Sequence, residues 1–349
     1  MAASPTDTQE KTTLRRGWTT GACATAATKA AVTALVTGRF PDPVGITLPK
    51  GQTPSFALAR ERLEGGAATA GIIKDAGDDP DVTHGALVLA TVERIEGDII
   101  EFAAGEGVGT VTKAGLPVPP GEPAINPVPR QMMRDAIRGI APVGGFRATV
   151  SIPGGEALAE RTWNPRLGIV GGLSILGTTG IVNPFSCSAW IHSIHRGIDV
   201  ARATGLRRVI AATGSTSEAA ARALYPELPI EATIDMGDFA GGLLKYLRKH
   251  PVPHLVLAGG FAKLSKLAAG SLDLHSSRSQ VDMDWLAERA GNPSLAAANT
   301  AAEALARAPR LAGVVAEGAG TKARSTLRGA PVDVEIVVVS RDGTVLARG

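Results

Sequence analysis

Between Lys74 and His84 the chain reads Lys-Asp-Ala-Gly-Asp-Asp-Pro-Asp-Val-Thr-His, packing four carboxylates, a cation and an imidazole around a Gly/Pro turn. Carboxylates this close repel one another unless a cation or a bound ligand offsets them, which marks the loop as a candidate for ligand contact or proton transfer. Its glycine falls between the first two carboxylates and no distal Glu follows, so it is not an EF-hand calcium loop. A magnesium site with fewer ligands and a plain solvated acidic turn both remain open on these residues alone.

A second region, from Asn164-Pro165-Arg166-Leu167-Gly168-Ile169-Val170-Gly171-Gly172 to Gly177-Thr178-Thr179-Gly180, is expected to follow a strand and open onto a helix. Free backbone N–H groups and a positive helix end would there meet an anionic or polar cofactor. A tight structural turn is the alternative. The loop is neither GxGxxG nor a GK[ST] phosphate loop, so it signals no dinucleotide or nucleoside triphosphate specifically. Farther on, Asp235 is placed to accept hydrogen bonds from a ribose or an amino group, whereas Asp238 reads as a cap of the next helix. Thr213 to Ser217 form another polar lip, with Ser215 or Thr216 as N-cap. Lys263, Lys266, His275 and Arg278 gather near the last motif. Lys263 and Lys266, three residues apart, either grip carboxylates together or belong to a solvated basic helix. His192 and His195 read as surface or packing residues, and Cys23 and Cys187 as small buried side chains. No GxSxG elbow, HExxH or Cys/His framework is present.

These residues need a scaffold, and 349 residues suggest about two domains. The fold expected is α/β and α+β: an N-terminal mixed-sheet α+β domain over 1–153 and a C-terminal Rossmann-like parallel α/β domain over 154–349. In the first, Thr19 or Thr20 caps an Ala-rich helix that stops at Gly38, and short strands are expected at 44–48, 56–60, 86–93 and 98–102. A Gly/Pro-rich stretch from Gly105 to Arg130, a helix over 128–139 and a strand near 146–152 complete it. In the second, strand-to-helix units alternate from Arg207 to Gly270, which implies a parallel sheet with a crevice at the strands' carboxyl ends. An Ala-rich helix over 294–307 and a hairpin turning at Asp342-Gly343 close the chain. The net charge of +3 comes from scattered Lys and Arg, and aromatics are only 4%, so nucleic-acid binding is not expected. Without a long apolar run or an apolar leader core, the chain is expected in the cytoplasm and off the membrane.

Taken in order, GWTTGACATAATKAA at 17–31, KDAGDDPDVTHGA at 74–86, GEGVGTVTKAGLPVPPGEPAINPVPR at 105–130, NPRLGIVGGLSILGTTGIVNPFS at 164–186 and KLSKLAAGSLDLHS at 263–276 resemble the CbiD family of cobalamin biosynthesis, the cobalt-precorrin-5B C1-methyltransferases. The resemblance spans nearly the whole chain. One departure is visible at Gly259-Gly260-Phe261-Ala262-Lys263, where family members commonly carry a Gly-His-Ile-Gly-Lys type entry, so no imidazole is expected at residue 260. The resemblance implies transfer of a methyl group from S-adenosylmethionine to C1 of cobalt-precorrin-5B, giving cobalt-precorrin-6A and S-adenosylhomocysteine. For that reaction the donor is expected at the second domain's switch-point crevice, lined by Gly171, Gly172, Gly177, Thr178, Thr179 and Gly180, with Asp235 as a weaker contact. Thr19, Thr20, Asp75, Asp78, Asp79 and His84 would border the tetrapyrrole or the donor, and Lys263 and Lys266 would meet substrate carboxylates. Any proton acceptor is expected among Asp75, Asp79, His84 and His275. No protein metal site is expected, since cobalt arrives with the substrate; a homo-oligomer is left open.

Two rivals fit the same elements. A nicotinamide-dependent precorrin reductase would share the architecture, because fold alone does not select chemistry. A non-catalytic tetrapyrrole carrier or RNA-binding protein would use the basic balance, with pI near 9.0. Stabilisation by S-adenosylhomocysteine rather than NADPH separates the first, and salt-sensitive RNA binding without methyl transfer would identify the second.

Overall fold

The computed structural model describes residues 14–349, so the N-terminal residues read as lacking an apolar leader core lie largely outside them. The fold is mixed α/β and comprises two compact units whose segments interleave along the chain. One unit takes the described residues up to Thr110, then Glu122–Thr162 and Gly171–Ser186; the other takes Val111–Gly121, Trp163–Val170 and Cys187–Gly349. The single boundary expected at 153/154 is therefore replaced by several crossings of the chain.

In the first unit, helix α1 (Thr20–Thr37) begins at the N-cap Thr19, whose hydroxyl accepts from the Ala22 N–H, and ends at Gly38 with φ 79°. Left-handed backbone at that last position favours glycine. Ala22, Ala24, Ala26, Ala27, Ala30 and Ala31 are all fully buried. Such small side chains let α1 pack closely on both sides, against the sheet and against α2 (Pro127–Ile140). Burial all round also explains why α1 lacks a strong polar face.

The sheet comprises β1 (Arg60–Glu64), β2 (Ala67–Ile73), β3 (Leu87–Ile95), β4 (Ile100–Ala104) and β5 (Gly145–Ser151), in spatial order β1-β2-β3-β5-β4. Only the β4/β5 pair is parallel. Ala68, Ala70 and Ile72 pair with Val92, Ala90 and Val88, so every second residue enters one core with Phe146, Ala148 and Val150. β2 was not anticipated in sequence, because Ala-Ala-Thr-Ala-Gly-Ile-Ile carries little β-branched content before its end. Cross-strand burial settles its state.

The second unit has α3 (Cys187–Ala203), β6 (Arg208–Ala212), α4 (Ser215–Leu224), β7 (Thr233–Asp235), α5 (Ala240–Leu247), β8 (His254–Gly260) and α6 (Phe261–Ala268). It continues through α7 (Met283–Ala290), α8 (Ala301–Arg307), α9 (Leu311–Leu327), β9 (Asp333–Val339) and β10 (Val345–Arg348). Strand order is β7-β6-β8-β9-β10, parallel except for the last pair. The terminal hairpin thus extends this sheet through β9, with His254 opposite Asp333 and Gly260 opposite Val339.

Two helical expectations change. The run over 294–307 is broken, because Asn292 caps a short turn at Pro293–Ala297 and Thr300 starts α8 afresh. Helix α9 was not foreseen, since Gly313, Gly318 and Gly320 dilute its apolar pattern. Yet Leu311, Val315, Ala319 and Ala323 recur every fourth residue and are fully buried. Among the described residues no helix is long and apolar enough to cross a membrane.

Candidate functional site

In the first unit, the acidic loop resolves its own charge crowding by giving each carboxylate a different partner. Arg15 makes a two-pronged ion pair with Asp75, whose Oδ1 also accepts from the Gly77 N–H at 2.9 Å. The Arg15 backbone N–H donates to Asp78 at 2.6 Å, and the Phe185 N–H donates to Asp79 Oδ1 at 2.8 Å. Asp81 accepts from Lys74 Nζ at 2.7 Å and from the Thr83 hydroxyl at 2.7 Å. Lys74 is almost wholly buried, so its ammonium depends on that carboxylate.

These contacts sort the expected proton acceptors. Hydrogen bonds from Arg15 and from the Gly77 backbone hold Asp75 down at about 2, which makes it a poor base near neutrality. His84 is exposed, and its Nδ1 accepts from the Ala76 N–H at 3.1 Å. Ring geometry of this kind assigns the neutral proton to Nε2, so His84 presents a donor outward. Asp79 keeps Oδ2 without a protein donor among the described residues.

From Gly171 onward the glycine-rich loop lies in this first unit and not at a strand exit of the second unit's parallel sheet. After a bend at Gly171-Gly172, Leu173 and Ile175 bridge neighbouring backbone: the Leu173 N–H donates to Gly107 O, Gly109 N–H to Leu173 O, and Ile175 N–H to Ala124 O. A Cβ on Gly172 would lie 2.3 Å from Gly107 backbone atoms, one on Gly177 2.2 Å from the Thr19 hydroxyl, and one on Gly180 2.5 Å from Leu48. These glycines admit their own unit's atoms, which is why the expected pocket is filled there. Gly171 and Thr178 stay exposed, and the Thr179 hydroxyl bonds Ile181.

Thr19 and Thr20 are buried and also differ from expectation as substrate contacts. Thr19 caps α1, and Thr20 Oγ1 accepts from the Leu176 N–H at 3.1 Å. The same unit holds a cavity of about 500 Å³ lined by Thr25, Lys29, Leu48, Gln131, Met132 and Asp135, none of them singled out in sequence.

In the second unit, consecutive connections leave β6 toward β7 on one side and then reach β8 on the other. The strand order therefore reverses between β6 and β8, and open α/β sheets bind ligands in the crevice at such a point. Its lip is Thr213-Gly214-Ser215 after β6, Asp235 through Asp238 after β7, and Gly259-Gly260 ending β8. Gly214, not Ser215 or Thr216, is the N-cap of α4, and the buried Ser217 hydroxyl bonds Gly214 O at 2.9 Å.

Asp235 is half-buried; desolvation raises its carboxyl above the ordinary range, partly opposed by the Gly237 N–H. Nearby, Arg166 clamps Glu218 of α4 through two bonds of 2.8 and 2.9 Å, so the Asn164–Leu167 turn braces the crevice wall. Asp238 does not cap α5, whose N-cap is Phe239 without a side-chain bond. Instead it pairs with Lys263 at 2.9 Å, and Lys263 Nζ also donates to Thr213 O.

Lys263 and Lys266 do not form a joint grip. Lys266 is buried and donates to Leu274 O at 3.0 Å, so it holds the following loop and offers nothing to a substrate. That loop carries exposed His275, whose Nδ1 accepts from the Ser277 N–H at 3.2 Å, and Arg278, which pairs with Asp273 and donates to Cys187 Sγ at 3.4 Å. Cys187 is half-buried rather than buried. His195 is a packing residue as read, stacked on Tyr246 at 3.9 Å.

Comparison with known proteins agrees with the motifs. The profile of the family described as CbiD matches residues 7–184, and that described as CbiD, C-terminal domain matches 273–349. A Brucella canis protein named cobalt-precorrin-5B C(1)-methyltransferase is 63% identical, covering 97% of this chain and 96% of its own. A Brucella anthropi protein of the same name is 62% identical, covering 99% and 98%. A crystal structure of a cobalamin biosynthesis protein (cbiD) from Archaeoglobus fulgidus is 31% identical, covering 76% of this chain and 83% of its own, with a TM-score of 0.39. With one profile over half its length and such relatives end to end, the chain belongs to the CbiD family.

Proposed function

We propose that this protein is a cobalt-precorrin-5B C1-methyltransferase of cobalamin biosynthesis, acting in the cytoplasm with S-adenosylmethionine as donor. The carrying observation is the identity of 62–63% over nearly the whole chain to relatives bearing that name. The reaction breaks the donor's S–CH3 bond and forms a C–C bond at C1, leaving the electron pair on sulfur as a thioether. A sulfonium methyl is already electrophilic, so alignment and exclusion of water are the protein's main tasks.

In this reading the second unit is a Rossmann-like donor domain, and the first contributes to tetrapyrrole binding. The start of α4 at Gly214–Ser217 faces the donor's carboxylate, favoured by the helix dipole, and Asp235 accepts from its ribose hydroxyls. This moves the donor from the glycine-rich loop to the β6/β7 exits, because that loop is filled by its own unit. Within the first unit, exposed His84 suits an acetate or propionate group of the ring. Asp79 is the proton acceptor of choice, through Oδ2.

Incubation with methyl-labelled S-adenosylmethionine and cobalt-precorrin-5B should give a product one methyl heavier, labelled at C1, with one equivalent of S-adenosylhomocysteine. Label at another ring carbon, or none with active substrate, would refute the assignment.

A further inference from the structure

Beside Asp235 lies an aromatic surface that neither the family names nor the donor reading assigns. Trp190, in the first turn of α3, is 41% exposed although it is the largest side-chain type. Its indole does not swing free: Nε1–H donates to the Asp235 backbone carbonyl at 3.1 Å. Trp163 meets it edge-on at 6.3 Å and Phe239 at a tilt at 6.4 Å, so both neighbours orient the ring while neither stacks flat upon it. Glycine at 237, with φ 55°, keeps the adjoining backbone close; a Cβ there would sit 3.3 Å from indole Cε2 and Cζ2.

The surface is thus rigid, partly uncovered and fixed by the same strand end that carries the Asp235 carboxyl. An exposed aromatic ring already held in one orientation loses little freedom when a flat group stacks on it, and purine bases stack well on such faces. We propose that Trp190 is the stacking platform for the adenine of the methyl donor. The chemistry pairs naturally: a ribose bonded to Asp235 carries its base one glycosidic bond away, within reach of the neighbouring ring. Trp190 then sets specificity for an adenosyl group over a bare methionine-like ligand. This assignment rests on the donor reading above and deepens it.

The test is a titration with S-adenosylhomocysteine, read by calorimetry and by tryptophan fluorescence in wild type, Trp190→Phe and Trp190→Ala. Wild type should bind with a change in emission. Trp190→Ala should bind about 10- to 100-fold more weakly, the range for losing one base-stacking ring, while Trp190→Phe stays within about threefold. Both variants should lose most of the emission change, because the ring the base covers is gone while Trp18, Trp163 and Trp285 supply the remaining emission. Wild-type affinity in Trp190→Ala, with the emission change intact, overturns the platform and leaves the donor reading standing. Failure of wild type to bind S-adenosylhomocysteine overturns both. Normal S-adenosylhomocysteine binding in Trp190→Ala with a raised KM for the corrinoid alone would hand the surface to the tetrapyrrole and overturn the adenine assignment.

Discussion

Lys74, 1% exposed, ends 2.7 Å from a carboxylate oxygen of Asp81, whose side chain is 26% exposed. Burial pushes the Asp81 carboxyl up, but the Lys74 charge and the donors of Lys74 and Thr83 pull it further down, to a net value below the usual range. A carboxylate with a lowered folded pKa stabilises the fold fully above its unfolded value, near 4, and loses that contribution as pH falls through the folded value. Asp81→Asn should cost about 3 kcal/mol at pH 7, because it leaves a buried ammonium unpaired. Urea melts from pH 7 to pH 3 check both points: wild type should lose stability below about pH 4 more steeply than the variant.

Asp75 and Asp79 should separate cleanly in kinetics. With its carboxyl held at about 2 by Arg15 and the Gly77 N–H, Asp75 stays ionised across any working pH. Asp75→Asn should therefore leave the shape of the rate profile between pH 5 and pH 9 unchanged, whatever it does to the loop. Asp79→Asn should lower kcat by about 100-fold or more, the usual scale for a lost general base, with donor affinity retained. Equal kcat in wild type and Asp79→Asn would remove Asp79 from the chemistry.

Adjacent glycines offer a packing test. Gly172→Ala forces a methyl to 2.3 Å from the Gly107 backbone and should cost about 3 kcal/mol or prevent folding. Gly171 has open space around it and φ 83°, so Gly171→Ala should cost only about 1 kcal/mol of backbone strain. Thermal unfolding of the pair measures the difference. A stable Gly172→Ala protein with weakened S-adenosylhomocysteine binding would restore the loop as the donor pocket.

The two cysteines should differ in reactivity. Burial pushes the Cys23 thiol up to about 12, leaving almost no thiolate at neutral pH, whereas Cys187 is half-buried beside Arg278. Native protein treated with iodoacetamide at pH 7.5 should show alkylation in the Cys187 peptide alone, with Cys23 modified only after unfolding. Mass spectrometry of digested samples reads this directly.

What could be read from the chain was what local chemistry dictates. The Thr19 cap, the Gly38 stop and the strand-to-helix rhythm after Arg207 all follow from spacing and side-chain type. Asp235 at a strand exit was visible for the same reason. The glycine run at 171–180 misled because glycine signals close approach without naming what approaches; here it is Gly107, Thr19 and Leu48 of the same unit. Lys266 misled similarly, since three-residue spacing fixes two lysines near one face but says nothing of the loop that covers one of them. Strand β2 and helix α9 were silent, their alanines and glycines being held by partners far along the chain. Trp190 stood in plain view, and only the bond to Asp235 gives it meaning.

Because Trp163–Val170 belongs with one unit and Gly171–Ser186 with the other, synthesis cannot finish the units in turn. The strip that satisfies Gly107 and the start of α1 leaves the ribosome after the other unit's first pieces. A nascent chain halted at residue 153 would hold all five strands of the first sheet but lack the strip whose backbone pairs with Gly107, Gly109 and Ala124. Expression of the halves as separate polypeptides should accordingly yield insoluble material, and only the uninterrupted chain should mature.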